Sequence, residues 1–267
     1  MSDLARISPT AHYTSYVWYR NGLSHPALAT SRGRVLYGVL APLNAAYTRL
    51  TGKPDLERNL LARHRTIDGL LERALAAGEV AQVIEVAAGL SPRGMRFRAR
   101  HPELLYVEGD LPGMAQLKRE ILSGEGLLGP SHQVVEVDAM LEDGSQSLRQ
   151  TGDALLPAGG TAVITEGLLN YLDEAAVRGI WARVAAFLRA RGGVYLADLS
   201  VSDETRGPAA LVFKRMLEIF VRGQLHVHFA TVDAAAEALG EAGFGRVALH
   251  SLGEDAPYMA RIIEARP

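Results

Sequence analysis

Three carboxylates set at the ends of apolar runs, beside a loop of small residues, are the groups in this sequence best placed to do chemistry. The loop reads Glu85-Val86-Ala87-Ala88-Gly89-Leu90-Ser91-Pro92-Arg93-Gly94 and follows a run rich in valine and isoleucine. Small residues at 87 to 89 let the backbone approach a ligand closely, and Gly89 can take a positive φ. Roughly 20 residues past the loop stand Glu108 and Asp110, at the spacing that puts a carboxylate on ribose hydroxyls in nucleotide-binding folds. Glu166 ends the apolar run Thr161 to Thr165, where a buried charge needs a partner. A dinucleotide fingerprint, Gly-x-Gly-x-x-Gly, is broken here, because alanine occupies 87 and Pro92 stands where the third glycine is required. A ligand without phosphates, such as S-adenosylmethionine, needs only close approach and a carboxylate for its ribose. A plain strand–loop–helix corner with solvated acids would explain the loop alone. The loop together with the acidic pair favours a nucleoside.

Other candidate groups lie outside this set. His226 and His228 alternate as on a strand and suggest a metal pair, but no third ligand of matching spacing accompanies them, so no metal is expected. Tyr13, Tyr16 and Tyr19 with Arg20 fall at helical spacing and read either as packing or as a lid over the ligand. The sequence has no cysteine, which excludes disulfides, thiolate metal sites and cysteine nucleophiles.

These groups need elements to hold them. The first 78 residues read as three helices: Ser8 to Gly22, about Ala27 to Leu50 with continuity in doubt at Gly33, Gly38 and Pro42, and about Asp55 to Ala77. After Gly78 strands and helices alternate. Strands are expected at Val80–Val86, Leu104–Glu108, His132–Val137, Thr161–Thr165 and Val194–Ala197, and two closing strands at Phe244–His250 and Tyr258–Glu264. Helices are expected from Pro112 to about Leu122, from the Asp173 cap to Arg189, over Glu204–Arg222 and over Val232–Ala242. The pattern implies an α/β fold: a doubly wound, mostly parallel, seven-stranded Rossmann-like sheet over 79–267 with a helical insert at 203–223, and an N-terminal helical cap over 1–78.

Four blocks of this sequence resemble the leucine carboxyl methyltransferase family, including bacterial polyketide carboxyl O-methyltransferases. Leu61-Ala62-Arg63 with Asp68 is similar to the family's Arg-bearing helix. Glu85 to Arg93 is similar to its Gly-Ala-Gly-Leu-Asp-Thr-Arg loop, with Ala87 replacing the first glycine and Ser91-Pro92 replacing Asp-Thr. Tyr106-Val107-Glu108-Gly109-Asp110-Leu111-Pro112, with Lys118 downstream, is similar to its Glu-Val-Asp-x-Pro segment. Glu166-Gly167-Leu168-Leu169-Asn170-Tyr171-Leu172 is similar to its Glu-Gly-x-x-x-Tyr-Leu block. The resemblance spans roughly Arg63 to Ser200 and implies S-adenosyl-L-methionine as cofactor. It implies that Arg63 pairs with the cofactor's carboxylate, and that Glu85, Ala87 and Gly89 form the loop against it. Asp110 would take the ribose, with Glu108 as its rival, and Asp138 with Ala139 would lie beside the adenine. Glu166 would face the amino end of the cofactor, and Tyr171 would line the transfer pocket.

An ionised carboxylate acceptor needs no general base, which suits a chain without a convincing catalytic dyad. Cations or donors would fix it, from among Arg20, Arg93, His226, His228 and the tyrosines. A hydroxyl acceptor would need a base, and a histidine is the first choice. The expected function is therefore O-methyl transfer to a small molecule, with a nicotinamide oxidoreductase or a non-catalytic nucleoside-binding scaffold as alternatives. With 267 residues, 48% hydrophobic and 22% charged, the chain can build one large core. A net charge of −2 offers no general attraction for nucleic acid or anionic membrane. No apolar run reaches the length of a membrane span and the N-terminus is unlike a signal peptide. A cytoplasmic monomer or homodimer is expected.

Overall fold

The computed structural model describes residues 9–52, 55–202, 226–253 and 260–267. Three helices come first: α1 (Pro9–Arg20), α2 (Ser31–Thr51) and α3 (Leu56–Ala76). Then follow β1 (Gln82–Val86), α4 (Arg93–Arg100), β2 (Leu105–Asp110), α5 (Pro112–Gly124), β3 (His132–Glu136), α6 (Leu148–Leu155), β4 (Thr161–Thr165), α7 (Glu174–Arg191) and β5 (Gly193–Leu199). The chain closes with α8 (Val232–Glu241), β6 (Arg246–Ser251) and β7 (Arg261–Arg266). The expected helix Glu204–Arg222 and the insert 203–223 lie outside the described residues, as does Tyr258.

The strands form one seven-stranded sheet in the order β3-β2-β1-β4-β5-β7-β6. The first five run parallel, while β7 pairs antiparallel with both β5 and β6. Strand order reverses between β1 and β4, and such a switch point opens a crevice at the carboxyl ends of the strands.

Alternation along β1 decides what each face carries. Ile84 and Val86 pack with Trp181, Val184 and Leu188 of α7. Val83 joins Ile67, Leu70 and Leu71 of α3 and Phe97 of α4 on the other face. Glu85, two residues after Val83, shares that second face and is buried there. The helix starts follow from capping: Asp55 Oδ1 accepts from Arg58 N at 2.9 Å, and Asp173 Oδ1 accepts from Ala176 N at 2.8 Å.

α2 runs unbroken through Pro42, against the doubt raised by its glycines. Proline crowds the carbonyl four residues back and leaves it without a donor. Here that residue is Gly38, and both Gly38 and Pro42 are exposed, so water can serve the carbonyl. Gly33 touches α1 instead: a Cβ added there would meet the Tyr16 Cβ at 3.1 Å. α4 and α6 are only eight residues each and were not expected from sequence.

Candidate active site

At the carboxyl end of β1 the chain turns sharply, with Ala87 at φ 56° and Gly89 at φ 50°. Gly89 N donates to Asp110 Oδ2 at 2.7 Å, and Leu111 N donates to Asp110 Oδ1 at 2.8 Å. Asp110 is therefore fixed beside the loop while keeping some exposure. Burial raises its carboxyl above the ordinary value, and the Gly89 and Leu111 amides partly offset that.

Glu108 has a different setting. It is only 1% exposed and lies 2.9 Å from Lys118 Nζ, an ion pair whose angle misses hydrogen-bond geometry, with His132 Nε2 3.7 Å away. Burial alone would raise its carboxyl, but the charges of Lys118 and His132 hold it below the ordinary range. Buried and paired, Glu108 has no lone pair turned to the crevice, which corrects its placement as a rival ribose ligand.

Glu166, just past β4, is the hub of a buried ionic cluster. Its Oε1 accepts from Arg63 Nε at 2.9 Å, and its Oε2 accepts from Arg93 Nη2 at 2.6 Å. His64 Nδ1 is 2.8 Å from that second oxygen, and its Nε2 is 3.1 Å from Arg96 Nη1. Arg93 Nη2 also lies 2.8 Å from His64 Nδ1. Although burial opposes it, His64, Arg93 and Arg63 hold the Glu166 carboxyl well below its ordinary value.

Arg63 reaches this hub from α3. Its Nη1 donates to Asp198 Oδ2 at 3.1 Å, and Gly167 N donates to Asp198 Oδ1 at 2.6 Å. A Cβ added at Gly167 would lie 3.2 Å from Arg63 Nη2, and Gly167 has φ 71°. Glycine is needed there both for the turn and for the approach of the guanidinium. Arg63 keeps 17% of its side chain exposed, and Nη2 has no hydrogen-bond partner among the described residues. A carboxylate can meet it there.

Arg93, expected as a donor to an acceptor's carboxylate, is instead fully buried. It donates through Nε to Asp68 Oδ1 at 2.7 Å and through Nη1 to Glu85 Oε1 at 2.5 Å. Glu85 Oε2 accepts from the Tyr106 hydroxyl at 2.5 Å. Glu85 thus supports the loop from below and is sealed from any ligand, which corrects its assignment to cofactor contact.

Around the crevice, α1 lies across the loop: a Cβ added at Gly89 would be 3.4 Å from Ala11 Cβ. The Tyr171 hydroxyl donates to Thr10 Oγ1 at 3.4 Å, placing Tyr171 between the Glu166 turn and α1. Arg20 is exposed at the far end of α1, about 14 Å along the helix from Ala11, with its guanidinium 4.9 Å from the Tyr37 ring centre. It therefore does not meet the crevice.

Asp138 follows β3 and its Oδ1 accepts from Met140 N at 2.9 Å, so it starts a turn; Ala139 O accepts from Arg183 Nε at 3.1 Å. His226 N donates to Asn170 O at 2.8 Å, next to Tyr171. His228 Nε2 is 2.6 Å from Leu172 O and donates there, so that ring is tied to backbone. Among the described residues no group of three or more His, Asp or Glu could hold a metal, and no helix is long and apolar enough to cross a membrane.

Sequence reasoning missed His64 and Asp198. Asp198 had a signal: a lone carboxylate in the apolar run of β5 requires a partner just as Glu166 does. His64 had none, because its partners come from α1, α4 and the turn after β4.

Comparison with known proteins bears on this arrangement. Residues 30–185 match the model of the family described as Leucine carboxyl methyltransferase. A Frankia alni protein, provisionally described as an S-adenosyl-L-methionine-dependent methyltransferase, is 31% identical over 69% of this chain and 63% of its own length. A Streptomyces coelicolor protein of the same description is 35% identical over 47% of this chain and 43% of its own. The chain thus spans about half the length of these two relatives. Among solved structures, a Thermobifida fusca protein provisionally described as a methyltransferase matches 99% of this chain and 96% of its own at TM-score 0.69 and 13% identity. The Synechocystis magnesium protoporphyrin IX methyltransferase, solved with bound S-adenosylhomocysteine, matches 87% of this chain and 98% of its own at TM-score 0.52 and 14% identity. At such identities these two likenesses concern the fold. With more than half its length matched by the family model, the chain belongs to the leucine carboxyl methyltransferase family.

Proposed function

We propose that this chain transfers a methyl group from S-adenosylmethionine to an oxygen of a small-molecule acceptor. The observation that carries the reading is that complementary groups stand at the carboxyl ends of the parallel strands. Asp110 stands ionisable beside the Gly89 amide, and Arg63 presents an unspent guanidinium edge beside Glu166. A nucleoside joined to an amino acid needs that pair: an acceptor for ribose hydroxyls and a planar donor for a carboxylate.

In this reading Asp110 accepts from the ribose, Ala87 and Gly89 pass close to the cofactor, and Asp138 with Ala139 borders the adenine. Arg63 holds the carboxylate, while Glu166 and Asp198 supply negative charge for the ammonium. The described helices α1 to α3 form the cap, and Tyr171 lines the acceptor side. When bound, S-adenosylmethionine supplies a methyl already activated by its sulfonium. The chain's remaining tasks are to align the acceptor and to exclude water. α1, lying over Gly89 and tied to Tyr171, serves the second.

A carboxylate acceptor fits best, because it is ionised at neutral pH and asks for no base. His226 and Tyr171 remain to orient it. One observation favours a second reading, a hydroxyl acceptor. Arg20, Arg93 and His228 are all engaged elsewhere, which leaves the site short of cations, and His226, stacked on His228, is the histidine left as a candidate base. Transfer of label from S-adenosylmethionine to a panel of carboxylic acids and phenols tests both. A carboxylate acceptor would label the acids and leave the phenols unlabelled. A hydroxyl acceptor would do the reverse. A chain that labels neither class has lost the reading.

A further inference from the structure

Arg93 is the only fully buried arginine among the described residues. All three of its guanidinium nitrogens are spent inside the protein, on Asp68 of α3, Glu85 of β1 and Glu166 after β4. It therefore cannot touch a cofactor or an acceptor. It does hold Glu166 by Oε2, while the other oxygen of the same carboxylate holds Arg63 Nε. Glu166 thus joins a sealed arginine to a partly exposed one.

A carboxylate gripped by one arginine can still swing about its side-chain torsions. Gripped on both oxygens by arginines from different helices, and on one by His64 as well, its plane is fixed. Arg63 has two anchors, Nε on Glu166 and Nη1 on Asp198, and their positions decide where Nη2 points. We infer that Arg93 is a positioning residue for cofactor binding: it fixes Glu166, and through Glu166 it aims the free edge of Arg63 at the amino-acid carboxylate of the ligand. The inference rests on Arg63 being that carboxylate's partner, as proposed above. Lysine cannot replace Arg93 in this task, since one ammonium cannot span three carboxylates on three elements.

The test compares two probes by calorimetry on the full chain: S-adenosylhomocysteine, and 5′-methylthioadenosine, which has the nucleoside and the thioether but no amino-acid carboxylate. Arg93→Lys should weaken S-adenosylhomocysteine by about 10- to 100-fold and leave methylthioadenosine within about twofold. In an Arg63→Ala background, Arg93→Lys should cause no further loss. If Arg93→Lys does not fold, Asp68→Asn weakens one of the three anchors of Arg93, at a residue with no assigned ligand contact, and should show the same selective loss. Equal weakening of both probes, or additive losses with Arg63→Ala, would mean that Arg93 is only structural. A wild-type chain that binds S-adenosylhomocysteine no tighter than methylthioadenosine would instead overturn the role of Arg63, and the inference with it.

Discussion

Two carboxylates two residues apart on β2 end in opposite roles because of what each meets. Glu108 turns under Gly94 into the buried pair with Lys118, while Asp110, at the strand's end, meets the Gly89 amide. Losing a charge-assisted bond costs about 1.5–3 kcal/mol, so Asp110→Ala should weaken S-adenosylhomocysteine roughly 10- to 150-fold by calorimetry. Glu108→Gln should lower the melting temperature with little effect on affinity; the reverse pattern would exchange the two roles. Ala87 is the described non-glycine residue with positive φ, which L residues adopt at a cost of about 1–2 kcal/mol. Ala87→Gly should therefore stabilise the chain by roughly 1 kcal/mol after the glycine's own unfolded-state entropy, and denaturant unfolding would show it. A loss of stability would mean that the Ala87 methyl makes contacts that outweigh the strain. At this scale the sequence singled out Asp110, Glu166 and Arg63 through spacing and resemblance, and the structure joins Arg63 to Glu166 and Asp110 to the Gly89 amide. It misled on Arg93 and Glu85, because nothing in one dimension says that a charged residue in a loop or strand will be sealed by charges from three other elements.

Among the elements, α1 shows most clearly what packing adds to pattern. Its aromatic residues suggested a lid or packing, and the structure buries Tyr13, Val17 and Trp18 against Leu40, Leu56, Leu60 and Leu61. Trp18 also packs on His64, with ring centres 4.6 Å apart and planes tilted by 37°, so α1 bears directly on the ionic cluster around Glu166. We read α1 as a brace that reaches the site. Trp18→Ala should cost about 3–5 kcal/mol and lower affinity for S-adenosylhomocysteine at the same time. Intact binding in a folded Trp18→Ala protein, with only turnover lost, would restore the lid. The strands of the sheet were readable from their apolar runs to within a few residues, since a parallel strand buried on both faces leaves a continuous hydrophobic signature. α4 escaped because its sequence, Arg-Gly-Met-Arg-Phe-Arg-Ala-Arg, shows one fully buried apolar side chain, Phe97, among four arginines.

For the molecule as a whole, the buried charges tie stability to pH. The folded-state carboxyls of Glu166, Glu108 and Asp68 are all held below their ordinary values, each despite burial and because of neighbouring cations. A depressed carboxyl contributes stability that is present above its unfolded value and lost as pH falls through the folded one. Asp110 is raised and works in the opposite direction, but it is one group against three. The melting temperature should therefore drop as pH falls below about 4.5, and Glu166→Gln should be less stable at neutral pH yet less sensitive to acid. A variant as acid-sensitive as the wild type would mean that Glu166 does not carry the effect. The central claim concerns the crevice at the β1/β4 switch point, and titration calorimetry on the intact chain at neutral pH addresses it most directly. S-adenosylhomocysteine should bind saturably at one site, with affinity lost in both Asp110→Ala and Arg63→Ala, and a nicotinamide dinucleotide should give no binding. Binding of the dinucleotide in its place, or S-adenosylhomocysteine binding that neither substitution disturbs, would contradict the account.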